Sequence, residues 1–201
     1  MATMAGLRGD AFMGEPETAM NETKLYTEFV SPLGPIYLEG DGEALNCLYF
    51  PQHRHWAGPN PKAERNDEAF AVVCEQLTEY FAGTRQEFDL PMKLYGTPFQ
   101  QQVWRELERI PFGETISYAE LARRVGRPTG FRAVGAANGR NPISIIVPCH
   151  RVIAADGKLT GYGGGVERKE RLLAWERSVL TGGQPSHDQT WTKPAMSVAA
   201  R

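Results

Sequence analysis

Cys149 and His150 are adjacent in IVPCHRV (residues 146–152), the only place in the chain where a thiol and an imidazole are neighbours. A free thiol is weakly ionised at neutral pH and the thiolate is the nucleophile, so a reactive cysteine needs a base or a positive field. His150 can be that base. Adjacent side chains rarely hydrogen-bond directly, so a water must relay the proton. A histidine base also needs a carboxylate on its other ring nitrogen. The C-terminal segment VERKERLLAWERSVL offers Glu167, Glu170 and Glu176, and only Glu176 stands near the apolar end beside Leu172, Leu173 and Trp175. On residue types alone an ordinary structural role is the commoner reading of a Cys-His pair, so its surroundings decide.

The stretch before the thiol, residues 143–147, reads as a short buried strand ended by Pro148, which puts Cys149 on stiff backbone. The other cysteines, Cys47 in a strand and Cys74 near the apolar face of a helix, read as core filler. Three widely spaced cysteines form no disulfide framework, and a reducing, cytoplasmic setting is expected. The first twenty residues lack the basic start and apolar run of a secretory signal, and no apolar run is long enough to span a membrane.

The net charge of −2 hides an asymmetry: residues 1–100 hold seven Lys/Arg against fifteen Asp/Glu, and residues 101–201 hold fifteen against nine. Between residues 115 and 152, Arg123, Arg124, Arg127, Arg132, Arg140 and Arg151 face only Glu120. A solvated helix face is the plain reading of such a run, but six arginines with one acid favour a docking face for a polyanion, here nucleic acid.

The elements that position these residues fall into two groups. LYTEFVSPLGPIYLEG reads as a hairpin, residues 44–50 as a third strand, and PQHRHWAGPNPKAERN as a loop. Asp67 opens a helix with Phe70, Val73, Leu77 and Phe81 inward and Gly83 as its cap. FDLPMKLYGTPFQ reads as a crossover. Thr97-Pro98 starts a helix facing inward with Val103, Trp104 and Leu107. Ser117 and Glu120 form a capping box into YAELARRVG, and GFRAVGAANG follows with Ala133, Gly135, Ala136 and Ala137 on one side. Two short helices across a tight Gly/Pro turn match a helix-turn-helix. The small residues suit close helix packing or entry into a groove, and the neighbouring arginines favour the groove. The expected organisation is a tail (1–23), an α+β N-terminal domain with a small antiparallel sheet and a helix (24–92), a mainly helical C-terminal domain with the helix-turn-helix (93–180), and a second tail (181–201).

NPISIIVPCHRV followed by GKLTGYGGG, with PFGETISYAELA upstream, resembles the active-site signature of the O6-alkylguanine-DNA alkyltransferases, also called methylated-DNA–protein-cysteine methyltransferases. The likeness runs from about residue 96 to residue 180 and more weakly through SPLGPIYL. It implies a ribonuclease H-like N-terminal domain, a winged-helix-like C-terminal domain, and repair of alkylated guanine by irreversible, single-turnover transfer to Cys149. It also implies that His150 acts through a water and is oriented by Glu176. Asn141 would brace the turn before the site, and Tyr118 would press on a phosphate and assist departure of the guanine. Arg132 would fill the gap left by a flipped nucleotide. Ala133, Ala136, Arg124, Arg127, Arg140 and Arg151 would lie along the DNA, while Gly161, Tyr162, Gly163, Gly164 and the backbone of Val152 would form the base pocket. A stacked guanine hides its O6, so extrusion is required, and small residues on a helix suit a minor groove.

The partner implied is double-stranded DNA containing alkylated guanine, met by a protein monomeric in solution; clustering on DNA and action on O4-alkylthymine stay open. No cofactor and no membrane are expected. Some members hold a zinc ion with two cysteines and two histidines. Here Cys47, His53 and His55 lack a second cysteine, so no metal is expected. Three rivals are weaker. A non-catalytic alkyltransferase-like protein lacks the acceptor cysteine, an alkylation-responsive regulator carries an additional metal-binding acceptor module, and a thiol hydrolase has its own signature around the cysteine.

Overall fold

The fold is that of a computed structural model, described over residues 24–182. Residues 1–23 and 183–201 of the two expected tails lie outside the described residues, while Thr181 and Gly182 form a turn after the last helix.

The N-terminal half begins with the expected hairpin. Strand β1 (Leu25–Ser31) pairs antiparallel with β2 (Gly34–Gly40), which pairs antiparallel with β3 (Leu45–Tyr49). Thr27, Phe29 and Ser31 alternate inward on β1, and Gly34 supplies the left-handed residue of the turn, φ 103°. The sheet is mixed rather than antiparallel. Strand β4 (Glu64–Arg65), inside the expected loop, lies parallel to β1 and gives the order β3-β2-β1-β4. Its two exposed residues pair through backbone alone and carry no alternation to read.

A short 3-10 turn (Glu68–Phe70) leads into α1 (Ala71–Ala82), which buries Val73, Leu77, Tyr80 and Phe81 on the stripe that begins at Phe70. Gly83 closes it in the left-handed conformation, φ 79°, with its N–H bonded to the carbonyl of Tyr80.

In the C-terminal half, Thr97 caps α2 (Pro98–Glu108), with Gln100 returning the bond to the cap. Strand β5 (Ile116–Ser117) precedes α3 (Tyr118–Arg124), then come α4 (Phe131–Gly139), strand β6 (Val152–Ile153) parallel to β5, and α5 (Val166–Leu180). Helices α2, α3 and α4 pack on one another, and Trp104 of α2 donates its indole N–H to the carbonyl of Ala137 on α4 at 2.9 Å. The capping box at Ser117 is only half made. Ser117 Oγ accepts from the N–H of Glu120 at 3.0 Å, but the Glu120 carboxylate is held by Arg123 and Arg124.

The apolar core is continuous between the halves, from Phe29 and Leu48 through Tyr80 to Trp104, Val147 and Trp175. The free edge of β3 is covered by the segment that carries the thiol: Leu48 donates to the carbonyl of Pro142 at 2.9 Å and accepts from the N–H of Ser144 at 3.1 Å. A covered edge cannot pair with another chain, and it ties the sheet to the site. Among the described residues no helix is long and apolar enough to cross a membrane.

Candidate active site and nucleic-acid face

Residues 143–147 are not a strand. Only Ile143 bridges to Leu48. The chain then turns back on itself, with the N–H of Val147 on the carbonyl of Ile143, and Cys149–Arg151 form a 3-10 turn. The cause is Asn141, whose buried amide donates to the carbonyls of Val147 (2.7 Å) and Ile143 (3.3 Å) and accepts from the N–H of Ile143 (3.0 Å). Within this turn Ile145 takes φ 70°, a left-handed conformation costly for a β-branched residue, and it is fully buried. The thiol is therefore fixed by a strained, side-chain-bonded turn.

Burial pushes the Cys149 thiol up to about 11, against the pull of Asn141, Lys169 and nearby N–H groups. At neutral pH the resting thiol is protonated and needs a base. His150 is fully buried, and its Nε2 lies 2.8 Å from Glu176 Oε1. Burial lowers the proton affinity of His150 despite Glu176, so the resting ring is neutral. Burial alone would raise the Glu176 carboxyl, but His150 and Arg151 hold it well below the usual carboxylate range. A permanent carboxylate at Nε2 makes that nitrogen the proton-bearing one and leaves Nδ1, buried and without a protein partner, as the acceptor.

Arg151 corrects one expectation. It is not on a DNA-facing surface: it is buried, its Nε and Nη2 lie 3.0 and 2.9 Å from the Glu176 carboxylate, and Nη1 donates to the carbonyl of Ile110 at 2.6 Å. Glu176 also accepts from the Tyr80 hydroxyl at 2.8 Å and the N–H of Gly113 at 3.0 Å.

Around the thiol stand the other expected residues. Val152 is buried on β6, and Tyr118, at the start of α3, donates its hydroxyl to the carbonyls of Thr160 (3.2 Å) and Gly161 (3.4 Å). Tyr162 is buried, its ring 6.5 Å edge-on from His150. Gly161 is exposed beside the Tyr118 hydroxyl. Gly163 and Gly164 sit where a side chain would not fit. A Cβ on Gly163 would stand 2.0 Å from His53 Nε2, and one on Gly164 would stand 2.8 Å from the Tyr162 ring. Gly163 lets the loop press on His53 of the N-terminal half, and Gly164, whose Cβ would also stand 3.0 Å from the Phe50 ring, lets it press on Phe50. His53, expected on a surface loop, is buried there against Tyr49, and burial, with His55 adding to it, lowers it to about 4. Arg54 donates its N–H to the carbonyl of Gly163 at 2.9 Å.

Lys169 was missed by sequence reasoning. It is fully buried on α5 and donates to the carbonyls of Val152 (2.5 Å) and Thr160 (2.9 Å). Burial lowers it to about 8, opposed by Cys149. The signal was present, because residues 169, 172, 173 and 176 form one helical stripe, and a lysine on an apolar stripe is a buried lysine. Arg168, also unforeseen, holds the carbonyl of Gly164 and reaches Leu33 and Gln52 of the N-terminal half.

On α4 and its C-cap Arg140 the outward residues are Phe131, Arg132, Ala133, Ala136 and Arg140, while Val134, Ala137 and Asn138 face inward. The small residues thus divide: Ala133 and Ala136 are open, and Gly135 lies over the Tyr118 ring. Arg127 is exposed, with its guanidinium 5.3 Å from the Phe99 ring. Arg123 and Arg124 share the single carboxylate of Glu120, at 2.7 and 2.9 Å. Among the described residues no group of three His, Cys, Asp or Glu side chains is placed to hold a metal ion.

Residues 98–178 match the family model described as 6-O-methylguanine DNA methyltransferase, DNA binding domain, and residues 24–94 match its ribonuclease-like domain. The chain is 52% identical over 159 residues to a methylated-DNA–protein-cysteine methyltransferase of Mycobacterium tuberculosis, covering 76% of this chain and 92% of that protein. The corresponding Methanosarcina acetivorans protein is 48% identical over 153 residues, covering 76% and 98%. Among solved structures, Mycobacterium tuberculosis OGT in complex with DNA matches with TM-score 0.73 at 49% identity, covering 77% of this chain and 94% of that one. The O6-methylguanine-DNA methyltransferase of Pyrococcus kodakaraensis matches with TM-score 0.54 at 25% identity, covering 77% and 99%.

Proposed function

The chain belongs to the 6-O-methylguanine DNA methyltransferase family, and from that premise we propose that Cys149 takes the alkyl group from O6 of a guanine turned out of duplex DNA, once per molecule. The observation that carries this reading is the buried thiol beside a histidine whose Nε2 is locked by Glu176 at 2.8 Å.

In the proposed reaction the thiol proton passes through a water to Nδ1 of His150, and the imidazolium is held by Glu176. Sγ attacks the alkyl carbon, the C–O6 bond breaks, and the bond electrons leave with guanine, which is protonated as it departs. Lys169 supplies a fixed positive charge while the thiolate exists. The product is a thioether. No described group is placed to cleave it, so the reaction is stoichiometric.

Helix α4 is the element we assign to the duplex. Ala133 and Ala136 allow close approach, Arg132 at its first turn enters the stack behind the extruded base, and Arg127 and Arg140 meet phosphates. Tyr118 stands between this helix and the pocket edge at Thr160 and Gly161, where it meets both a phosphate and the departing base. Extrusion costs a few kcal/mol, least for a damaged pair, which gives the enzyme part of its selectivity. We assign the protein to the cytoplasm, where an acceptor thiol stays reduced, acting as a monomer on each lesion. The test is an O6-methylguanine duplex given to the wild type and to Cys149→Ser. Transfer is lost while DNA binding is kept; a variant that still transfers overturns the assignment.

A further inference from the structure

Glu176 is not served by the C-terminal half alone. Its Oε1 accepts from His150 Nε2 (2.8 Å), Arg151 Nη2 (2.9 Å) and the hydroxyl of Tyr80 (2.8 Å), a residue of α1. Its Oε2 accepts from Arg151 Nε and the N–H of Gly113, both at 3.0 Å. Tyr80 is itself fixed. Its ring is fully buried between Phe81, Phe88 and Phe112, and its carbonyl accepts from the indole N–H of Trp175 at 3.2 Å. Burial and the neighbouring carboxylate hold its hydroxyl protonated far above neutral pH, so it is a constant donor.

Three donors converge on Oε1 and compete, and of these Tyr80 is the one supplied by the N-terminal half. Each withdraws density from Oε1 and weakens the bonds the others make. The groups facing His150 are Cys149 and Arg151 on its own turn, Lys169 and Glu176 on α5, and Tyr162 on the glycine loop; facing Glu176 from the N-terminal half is Tyr80. With Arg151 neutralising the charge of Glu176, the share of Oε1 left to His150 is set by what Tyr80 takes.

We propose that Tyr80 is a positioning residue of the N-terminal half that, through Glu176, sets the proton affinity of His150 and so the nucleophilicity of Cys149. This rests on the acceptor role proposed for Cys149. It gives the N-terminal half a chemical part in the reaction besides covering the core.

The sign follows from the competition. Removing the hydroxyl strengthens the Glu176–His150 bond, favours the imidazolium, and moves thiolate formation to lower pH. In Tyr80→Phe the carboxylate still has His150, Arg151 and Gly113, so it is not left unsatisfied. The experiment is the pH profile of Cys149 alkylation, with free O6-methylguanine and separately with iodoacetamide, in the full chain. In Tyr80→Phe the midpoint moves down and the rate below it rises about threefold to tenfold, a fraction of one charge-assisted hydrogen bond. The high-pH plateau stays near that of the wild type. Site-specific 3-fluorotyrosine at position 80, a stronger donor of nearly the same shape, moves the midpoint up and covers the case in which Tyr80→Phe does not fold. Trp175→Phe removes the other bond between Tyr80 and α5 and leaves the midpoint where it was. Unmoved midpoints in both Tyr80 proteins, or an equal shift in Trp175→Phe, overturn the proposal. Absence of transfer from O6-methylguanine in every protein, with the iodoacetamide midpoints still ordered as described, would count against the acceptor reading and not against this one.

Discussion

Arg151 and Glu176 form a buried ion pair, Nε and Nη2 of the one lying 3.0 and 2.9 Å from the carboxylate of the other. The arginine next to the acceptor thiol pair is therefore a counter-ion to the orienting carboxylate. Arg151→Met leaves that carboxylate with neutral donors only and costs about 3–5 kcal/mol of stability, as when one partner of a buried pair is removed. Its DNA binding keeps the wild-type dependence on salt, whereas Arg140→Ala lowers the slope of log K against log salt by about 0.9. Denaturant unfolding and DNA titrations at several salt concentrations check both.

Glu176→Gln removes the charge that fixes the His150 tautomer. Transfer slows about tenfold to a thousandfold near neutral pH, the range for loss of a general base, and the deficit shrinks at high pH as the thiol ionises unaided. Stability changes with pH in a defined direction. The Glu176 carboxyl is held below its ordinary value, so its contribution is fully present above about 4.3 and is lost as pH falls further. The wild type is the more stable protein at pH 7, and its advantage over Glu176→Gln narrows below about pH 4. Paired urea titrations across this range read it.

Arg132 opens α4 and is exposed beside Ala133 and Ala136. A side chain that fills the place of an extruded nucleotide acts on the extrusion step, which costs a few kcal/mol, more than on affinity. Arg132→Ala slows repair in duplex DNA far more than it weakens binding, and it reacts almost normally with free O6-methylguanine base. Equal impairment on free base would mean that Arg132 shapes the pocket instead.

Glu120 holds Arg123 and Arg124, so neither is fully available to phosphates. Glu120→Gln releases both. DNA binding tightens and its salt slope steepens by about 0.9 for each arginine that takes up a phosphate. An unchanged slope removes these two residues from the DNA face. Exposed pairs of this kind contribute little to folding, so the thermal midpoint stays nearly constant.

Much of this was legible in the sequence because it is local. The stripe of Phe70, Val73, Leu77 and Phe81, the Thr97 cap and the hairpin at Pro32 follow from spacing and turn chemistry. Glu176 could be chosen over Glu167 and Glu170 because it alone shares an apolar helical face. What escaped depends on distant partners. Charge counting treats Arg151 and Arg140 alike; only the position of Glu176, 25 residues on, makes one buried and leaves the other exposed. An apolar run at residues 143–147 imitates a strand until the Asn141 amide folds it into a turn. Gly163 reads as part of the base pocket, and its lack of a Cβ is also demanded by His53, far away in sequence. Tyr80 lies outside the stripe that spacing picks out, and nothing near it in sequence reveals the carboxylate its hydroxyl meets.

The central claim is that Cys149 is the acceptor and acts once. The direct measurement is peptide mapping by mass spectrometry after incubation with excess duplex containing one O6-methylguanine, with repaired strand counted in the same sample. The account predicts one methyl group on Cys149, none on Cys47 or Cys74, and one repaired lesion per protein molecule. Both other thiols are pushed up by burial, Cys74 to about 11, and neither has a histidine and carboxylate behind it. Methyl groups on another residue, or more lesions repaired than protein molecules present, would contradict it.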